Sequence, residues 1–311
     1  VKVLVTGGAG FIGSNLCFLL KETGYDVLGL DSFDSYYSVE TKRSNAVDLE
    51  KHGIGTLTLD LAEDGLDEAL DSVECVVHLA AQPGITLSVP WESYYRNNIL
   101  ATHRLVEAAK ASQAIRRFIY VSSSSCYGRH VADTETSSPK PTSWYGVTKL
   151  TAEQEVLSAY RLGDLSSCSV RPFSVFGERE RPDKLFPKLI KSVLSDQTFP
   201  LFEGSEKHLR SFSYVGDICS GILSCIRNWD KAEGEIFNLG AEQSFTTAEG
   251  IQIVEEIVGK KARIELRPSR PGDQTTTNAN IDKARSVLGW EPKTTLRDGL
   301  ERMIERIRRE A

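Results

Sequence analysis

Near the middle of the chain, residues 143–150 read S-W-Y-G-V-T-K-L, which sets Tyr145 four positions before Lys149. On a helix, residues i and i+4 share a face, so the phenol and the ammonium point the same way. As an isolated pattern the pair reads as a surface tyrosine and a surface lysine. Brought together in a site, it could act as a base. Ionising a phenol of pKa about 10 at pH 7 costs roughly 4 kcal/mol, at about 1.36 kcal/mol per unit. A lysine charge about 5 Å away, at an effective dielectric of about 20, returns roughly 3 kcal/mol. The lysine alone falls slightly short, and a second positive charge beside the ring would make phenolate a usable base near neutrality.

Two other stretches carry chemistry. V-S-S-S-S-C-Y-G, residues 121–128, closes an expected strand. Its serines either hold a substrate hydroxyl towards Tyr145 or cap their own backbone. T-G-G-A-G-F-I-G, residues 6–13, spaces Gly7, Gly10 and Gly13 between an expected strand and an expected helix. Glycines there allow a tight turn and close approach of a pyrophosphate to the helix N-terminus. Asp31, at the end of the second expected strand, suits a ribose 2′-hydroxyl and repels a 2′-phosphate. No basic residue follows before Lys42, so NAD is favoured over NADP. An oxidised nicotinamide would then be the second positive charge beside Tyr145. Asp60 and Leu61 either flank an adenine or form a polar strand end.

These residues need a scaffold. Short β-branched runs at 1–6, 26–30, 56–59, 75–79, 118–122 and 168–171 alternate with amphipathic stretches at 11–22, 91–111 and 145–160. That rhythm predicts an α/β fold: a Rossmann-type, doubly wound parallel sheet covered on both faces. After Arg171 it gives way to proline- and charge-rich segments, with 200–210 read as loop and helices expected near 217–227, 247–258 and 298–309. The expected organisation is a dinucleotide-binding domain over 1–177, with 212–245 returning to it, and a smaller mixed α/β substrate domain over 178–311.

With 40% hydrophobic and 26% charged residues in 311, the composition is that of a globular protein. The net charge of −6 disfavours a sequence-independent grip on nucleic acid. No apolar run of 18 residues and no leader-peptide pattern is found, so no membrane partner is expected. Cys17, Cys75, Cys126, Cys168, Cys219 and Cys225 are scattered through apolar segments without C-x-x-C spacing. Buried free thiols, a cytoplasmic setting and no metal site follow.

Taken together, the chain resembles the extended short-chain dehydrogenase/reductase family, specifically its nucleotide-sugar 4-epimerases. The motifs are T-G-G-A-G-F-I-G, H-L-A-A-Q at 78–82, R-N-N-I-L-A-T at 96–102, S-S-S-S-C-Y-G, Y-G-V-T-K, R-P-F-S-V-F-G at 171–177, R-S-F-S-Y-V-G-D at 210–217, R-P-G-D at 270–273 and L-G-W-E-P at 288–292. The resemblance implies Tyr145 as base, Lys149 on the nicotinamide ribose and Ser123 on the reacting hydroxyl. It implies an NAD site lined by Gly7, Gly10, Phe11, Ile12, Gly13, Asp31, Asp60, Leu61, Leu79, Ala80, Ala81, Asn98 and Ser122, with Tyr145 and Lys149. It puts Arg210 and Arg270 on a diphosphate, Asp273 on a nucleotide ribose, and a homodimer on the helices at 91–111 and 145–160.

The reaction so implied is oxidation of a UDP-sugar at C4 followed by return of the hydride to the other face. Related dehydratases carry Asp-Glu after the serine, and decarboxylases usually carry glutamate at the second position. Here Ser124 and Ser125 stand there, which favours epimerisation. D-S-F-D-S-Y-Y-S-V-E-T-K-R at 31–43 and G-E-R-E-R-P-D at 177–183 look like the UDP-glucuronate 4-epimerase branch. For a uronate, Pro83, Thr86, Ser123, Ser124, Ser125, Ser174 and Arg181 form the expected substrate set. Arg181 is open between a carboxylate, a phosphate and a surface ion pair. That branch often reads G-V-R-Y-S where this chain has G-I-T-L-S at 84–88, so UDP-glucose and UDP-N-acetylglucosamine remain open. A redox-sensing regulator of this family typically lacks the tyrosine or lysine, and a simple reductase usually prefers NADP. Tyr145, Lys149 and Asp31 oppose both readings.

Overall fold

A computed structural model describes residues 1–84, 89–128, 130–131, 134–269 and 275–310. Its centre is a parallel sheet of seven strands: β1 (Lys2–Thr6), β2 (Asp26–Asp31), β3 (Gly55–Thr58), β4 (Cys75–His78), β5 (Arg117–Val121), β6 (Ser167–Pro172) and β7 (Ile236–Leu239). The spatial order is β7-β6-β5-β4-β1-β2-β3. β4 and β6 are buried along their whole length, as expected of strands covered by helices on both faces. β3 ends the sheet and is mostly exposed. The winding reverses at β1, which pairs with β2 on one side and β4 on the other. A crevice therefore opens beyond the carboxyl ends of β1 and β4, where this topology places ligands.

The helix Phe11–Glu22 follows β1 with Gly10 at its N-cap and no side-chain cap, which leaves its first amides facing the crevice. Gly7 takes φ +69, and a Cβ on Gly13 would stand 2.0 Å from the Gly7 carbonyl oxygen. Only glycine closes this turn. The helix expected over 91–111 has those limits, but its middle, Tyr95–Leu100, is a π-helical turn. Such bulges often mark functional positions, and this one carries Arg96, Asn97 and Asn98. The helix Trp144–Arg161 starts at Ser143, whose hydroxyl accepts from the Gly146 amide at 3.1 Å.

Two of the longer helices were not expected. In Val39–Lys51 the buried positions are Lys42, Asn45 and Leu49, so no apolar period announces it. Leu185–Leu194 is amphipathic, but Pro182 and Pro187 suggest a loop; Pro187 falls in the first turn, where it displaces no internal hydrogen bond. Part of the segment read as loop, 200–210, is strand: Thr198–Phe202 pairs in parallel with Arg263–Arg267, and Pro200 is tolerated in so small a sheet. Phe176, Phe186, Phe212 and Tyr214 pack edge to face, Phe186 and Phe212 beside Gly250 of the helix Thr247–Val258 and Phe176 and Tyr214 beside Gly299 of the helix Leu296–Glu310. The helix Val215–Arg227 packs on Phe11–Glu22, so a segment remote in sequence supports the glycine loop.

Candidate active site

A cleft of about 500 Å³ opens at the crevice. It is lined by Gly7, Gly10, Phe11, Ile12, Gly13, Asp31, Asp60 and Leu61, by Leu79, Ala80, Ala81 and Ser122, and by Pro83, Ser123, Ser124, Ser125, Tyr145, Lys149, Ser174, Arg181 and Arg210. Tyr145 and Lys149 occupy successive turns of one helix, so both reach the cleft. Gly146 sits between them against the serine loop: a Cβ there would lie 2.6 Å from the Ser125 carbonyl oxygen. The small residue lets the helix bring Tyr145 into hydrogen-bonding contact with Ser123.

The electrostatics differ from the simple two-charge expectation. Lys149 is only 2% exposed. Burial drives its ammonium down to about 7, with Cys126 and Glu153 opposing. Burial drives the Tyr145 phenol up to about 12, and the Ser123 hydrogen bond and the Arg181 charge pull it back. Burial outweighs both. The protein alone therefore keeps the phenol protonated, and the added positive charge must come from a bound group.

Asp31 is nearly buried and accepts the Phe33 amide at 2.8 Å; burial raises its carboxyl and Lys42 lowers it. The eleven-residue gap in sequence does not keep Lys42 away, because the unexpected helix folds back and sets its Nζ 3.9 Å from Asp31 Oδ1. Lys42 is held by the Asp34 carbonyl at 2.8 Å and lies over the Tyr37 ring. Arg181 is also buried, with its guanidinium 5.1 Å from the Tyr36 ring centroid and Nη2 3.3 Å from Asp183 Oδ2. Its Nη1 is buried without a partner among the described residues, which makes it a donor suited to a bound anionic oxygen.

Residues 3–240 match the model of the NAD dependent epimerase/dehydratase family. The chain belongs to that family. The epimerase/dehydratase relatives include a UDP-glucuronic acid 4-epimerase from Bacillus cereus, solved with UDP-glucuronic acid and NAD. It is 35% identical, with all of both chains covered and a TM-score of 0.94. UDP-glucuronate 4-epimerase 2 of Arabidopsis thaliana is 31% identical over 98% of this chain and 75% of the relative. A UDP-glucose 4-epimerase from Thermotoga maritima, solved with UDP-glucose, is 28% identical, covers 100% of this chain and 99% of its own, and has a TM-score of 0.88.

In this epimerase/dehydratase chain, some expected site residues stand elsewhere or do other work. Asn98 is buried behind the cleft wall. Its Oδ1 accepts the Gln82 amide at 2.6 Å and its Nδ2 donates to Thr148 Oγ1 at 2.9 Å. Asp60 lines the cleft, but its carboxylate receives Arg96 at 2.9 Å and the Ala62 amide at 2.9 Å. Ser174 takes φ +33, with its hydroxyl 3.2 Å from Thr277 Oγ1. Thr86, Arg270 and Asp273 lie outside the described residues. Tyr36, Tyr37, Lys42, Glu180 and Lys184 line the cleft without having been singled out as ligands. The D-S-F-D-S-Y-Y and G-E-R-E-R-P-D stretches that contain most of them were the available signal. All six cysteines are buried free thiols, and no described helix is long and apolar enough to cross a membrane.

Proposed function

We propose that this chain interconverts the C4 epimers of a UDP-sugar with tightly held NAD, and that its substrate pair is UDP-glucuronate and UDP-galacturonate. The observation that carries the reading is the convergence of Tyr145, Ser123 and Lys149 beside a glycine cradle, with serines and no carboxylate at 124 and 125. The glycine loop, the uncapped helix end and buried Asp31 fit a dinucleotide. Bound NAD supplies the hydride acceptor and donor, and its oxidised ring carries positive charge.

Ser123 orients the C4 hydroxyl and keeps Tyr145 aligned. Tyr145 takes the hydroxyl proton, as phenolate, and gives it back at the end of the cycle. Lys149 binds the cofactor ribose. A 4-keto hexuronate is a β-keto acid and loses CO₂ readily, so its carboxylate must be pinned; we assign that role to Ser125, Ser174 and the spare Arg181 donor, all of which line the cleft. Arg210, with Arg270 and Asp273, takes the nucleotide diphosphate and ribose. Thr86 in place of arginine is the feature that favours the second reading, a neutral UDP-hexose or N-acetylhexosamine.

We assign a homodimer built on the helices beginning at Trp91 and Trp144. Trp91, Tyr95 and Trp144 are large, exposed aromatics there, and the two indoles stack edge to face at 5.0 Å. The buried thiols support a reducing cytoplasm.

The test is proton NMR of purified protein with UDP-glucuronate and no added cofactor. UDP-galacturonate is the expected product. Conversion of UDP-glucose or UDP-N-acetylglucosamine instead would keep the mechanism and replace the substrate. A UDP-pentose would make the chain a decarboxylase.

A further inference from the structure

The segment after β4 walls the cleft with Leu79, Ala80, Ala81 and Gln82. It belongs to no helix or strand, so hydrogen bonds must hold its shape. Thr6 Oγ1 accepts from the amides of Leu79 and Ala80, each at 3.1 Å. Its own proton is then free to go to His78 Nδ1 at 2.7 Å. His78 is fully buried, and its Nε2 lies 3.0 Å from Thr102 Oγ1. Thr102 gives its hydroxyl proton to the Asn98 carbonyl at 2.7 Å, so it can only accept from the ring. Both ends demand the same tautomer, with Nδ1 bare and Nε2 protonated. Burial, helped by Lys149, drives the imidazolium down to about 3, so the neutral ring persists. Asn98 closes the circuit by gripping both backbone groups of Gln82.

We propose that His78 is a positioning residue: the Thr6–His78–Thr102 chain fixes the backbone of residues 79–82 as the cleft wall and thereby sets how tightly the dinucleotide is held. The inference rests on the reading of the cleft as an NAD site. The ring is more than filler, since an apolar ring of the same size would leave a buried hydroxyl proton on Thr6 with nowhere to go.

Thr102→Val, Thr102→Ser and His78→Phe test it. Three quantities are measured: amide hydrogen exchange of residues 79–82 in cofactor-free protein, the NAD dissociation constant of the same protein, and UDP binding. Thr102→Val and His78→Phe should speed exchange at Leu79 and Ala80 and weaken NAD roughly tenfold, equivalent to about 1.4 kcal/mol. Thr102→Ser should restore both, and UDP binding should stay at the wild-type level. Variants that merely melt lower, with exchange and NAD binding unchanged, would overturn the proposal. If wild-type protein itself does not bind NAD, the functional reading fails and the proposal with it; the wild-type control separates that result from the first.

Discussion

Lys149 Nζ sits 4.3 Å from the centroid of the Tyr120 ring, so the charge rests on the face of a buried aromatic. The ring attracts a cation, yet the ammonium is still driven down to about 7 by burial. The same side chain that would bind a cofactor ribose is thus a burden to the protein without cofactor.

Lys149→Met should therefore abolish epimerisation and raise the melting temperature of cofactor-free protein. The sign follows from linkage. The folded pKa, about 7, lies below the ordinary lysine value of 10.5, so between them the unfolded chain binds more protons and wild-type stability rises with pH. The gain from Lys149→Met should be largest below pH 7 and shrink towards pH 10.5. Melting curves across that range would show it, and a gain independent of pH would contradict it.

Tyr145→Phe removes the proton carrier and leaves the helix intact. Turnover should fall by about 10²–10⁴-fold, with the fold and cofactor content unchanged. Ser123→Ala removes the hydroxyl that holds Tyr145 down from still higher pKa, so turnover should fall and the rate profile should shift to higher pH. Steady-state rates across pH with UDP-glucuronate are the check.

Glu153 continues the Tyr145–Lys149 stripe by one more turn and pairs with Arg171 inside the protein. Arg171 Nε meets Glu153 Oε2 at 2.9 Å, and Ser169 Oγ donates to the same oxygen at 3.1 Å. Glu153→Gln leaves the guanidinium charge uncompensated and should destabilise by about 3–5 kcal/mol. Urea unfolding measures this. The double variant Glu153→Gln/Arg171→Met should be less destabilised than Glu153→Gln alone.

Gly13→Ala forces a methyl group into the Gly7 carbonyl oxygen. The loop must open, so bound NAD should be lost during gel filtration, which the near-ultraviolet absorbance of the eluted protein reports. Retention at the wild-type level would mean the loop is not the pyrophosphate cradle.

Arg181→Met removes the buried donor that lacks a partner among the described residues. With UDP-glucuronate, kcat/KM should fall at least about tenfold more than with UDP-glucose, the discrimination expected of a charge-assisted hydrogen bond worth about 1.5–3 kcal/mol. Equal losses on both sugars would place Arg181 on the diphosphate.

The glycine spacing, the Tyr145–Lys149 interval and the strand–helix rhythm were legible in the chain because each is local. A tight turn, a shared helix face and a buried strand all impose their pattern within a dozen residues. The helix Val39–Lys51 was not legible, since its buried face carries Lys42 and Asn45 and breaks the apolar period. Whether Lys42 reaches Asp31, whether Arg181 is buried with a spare donor, and which proton His78 carries depend on segments 11 to 72 residues apart meeting in one place. The charges in the site follow the same division. The sequence determined that a phenol and an ammonium share a helix face, but only the tertiary structure decided their protonation, because desolvation depends on everything packed around them.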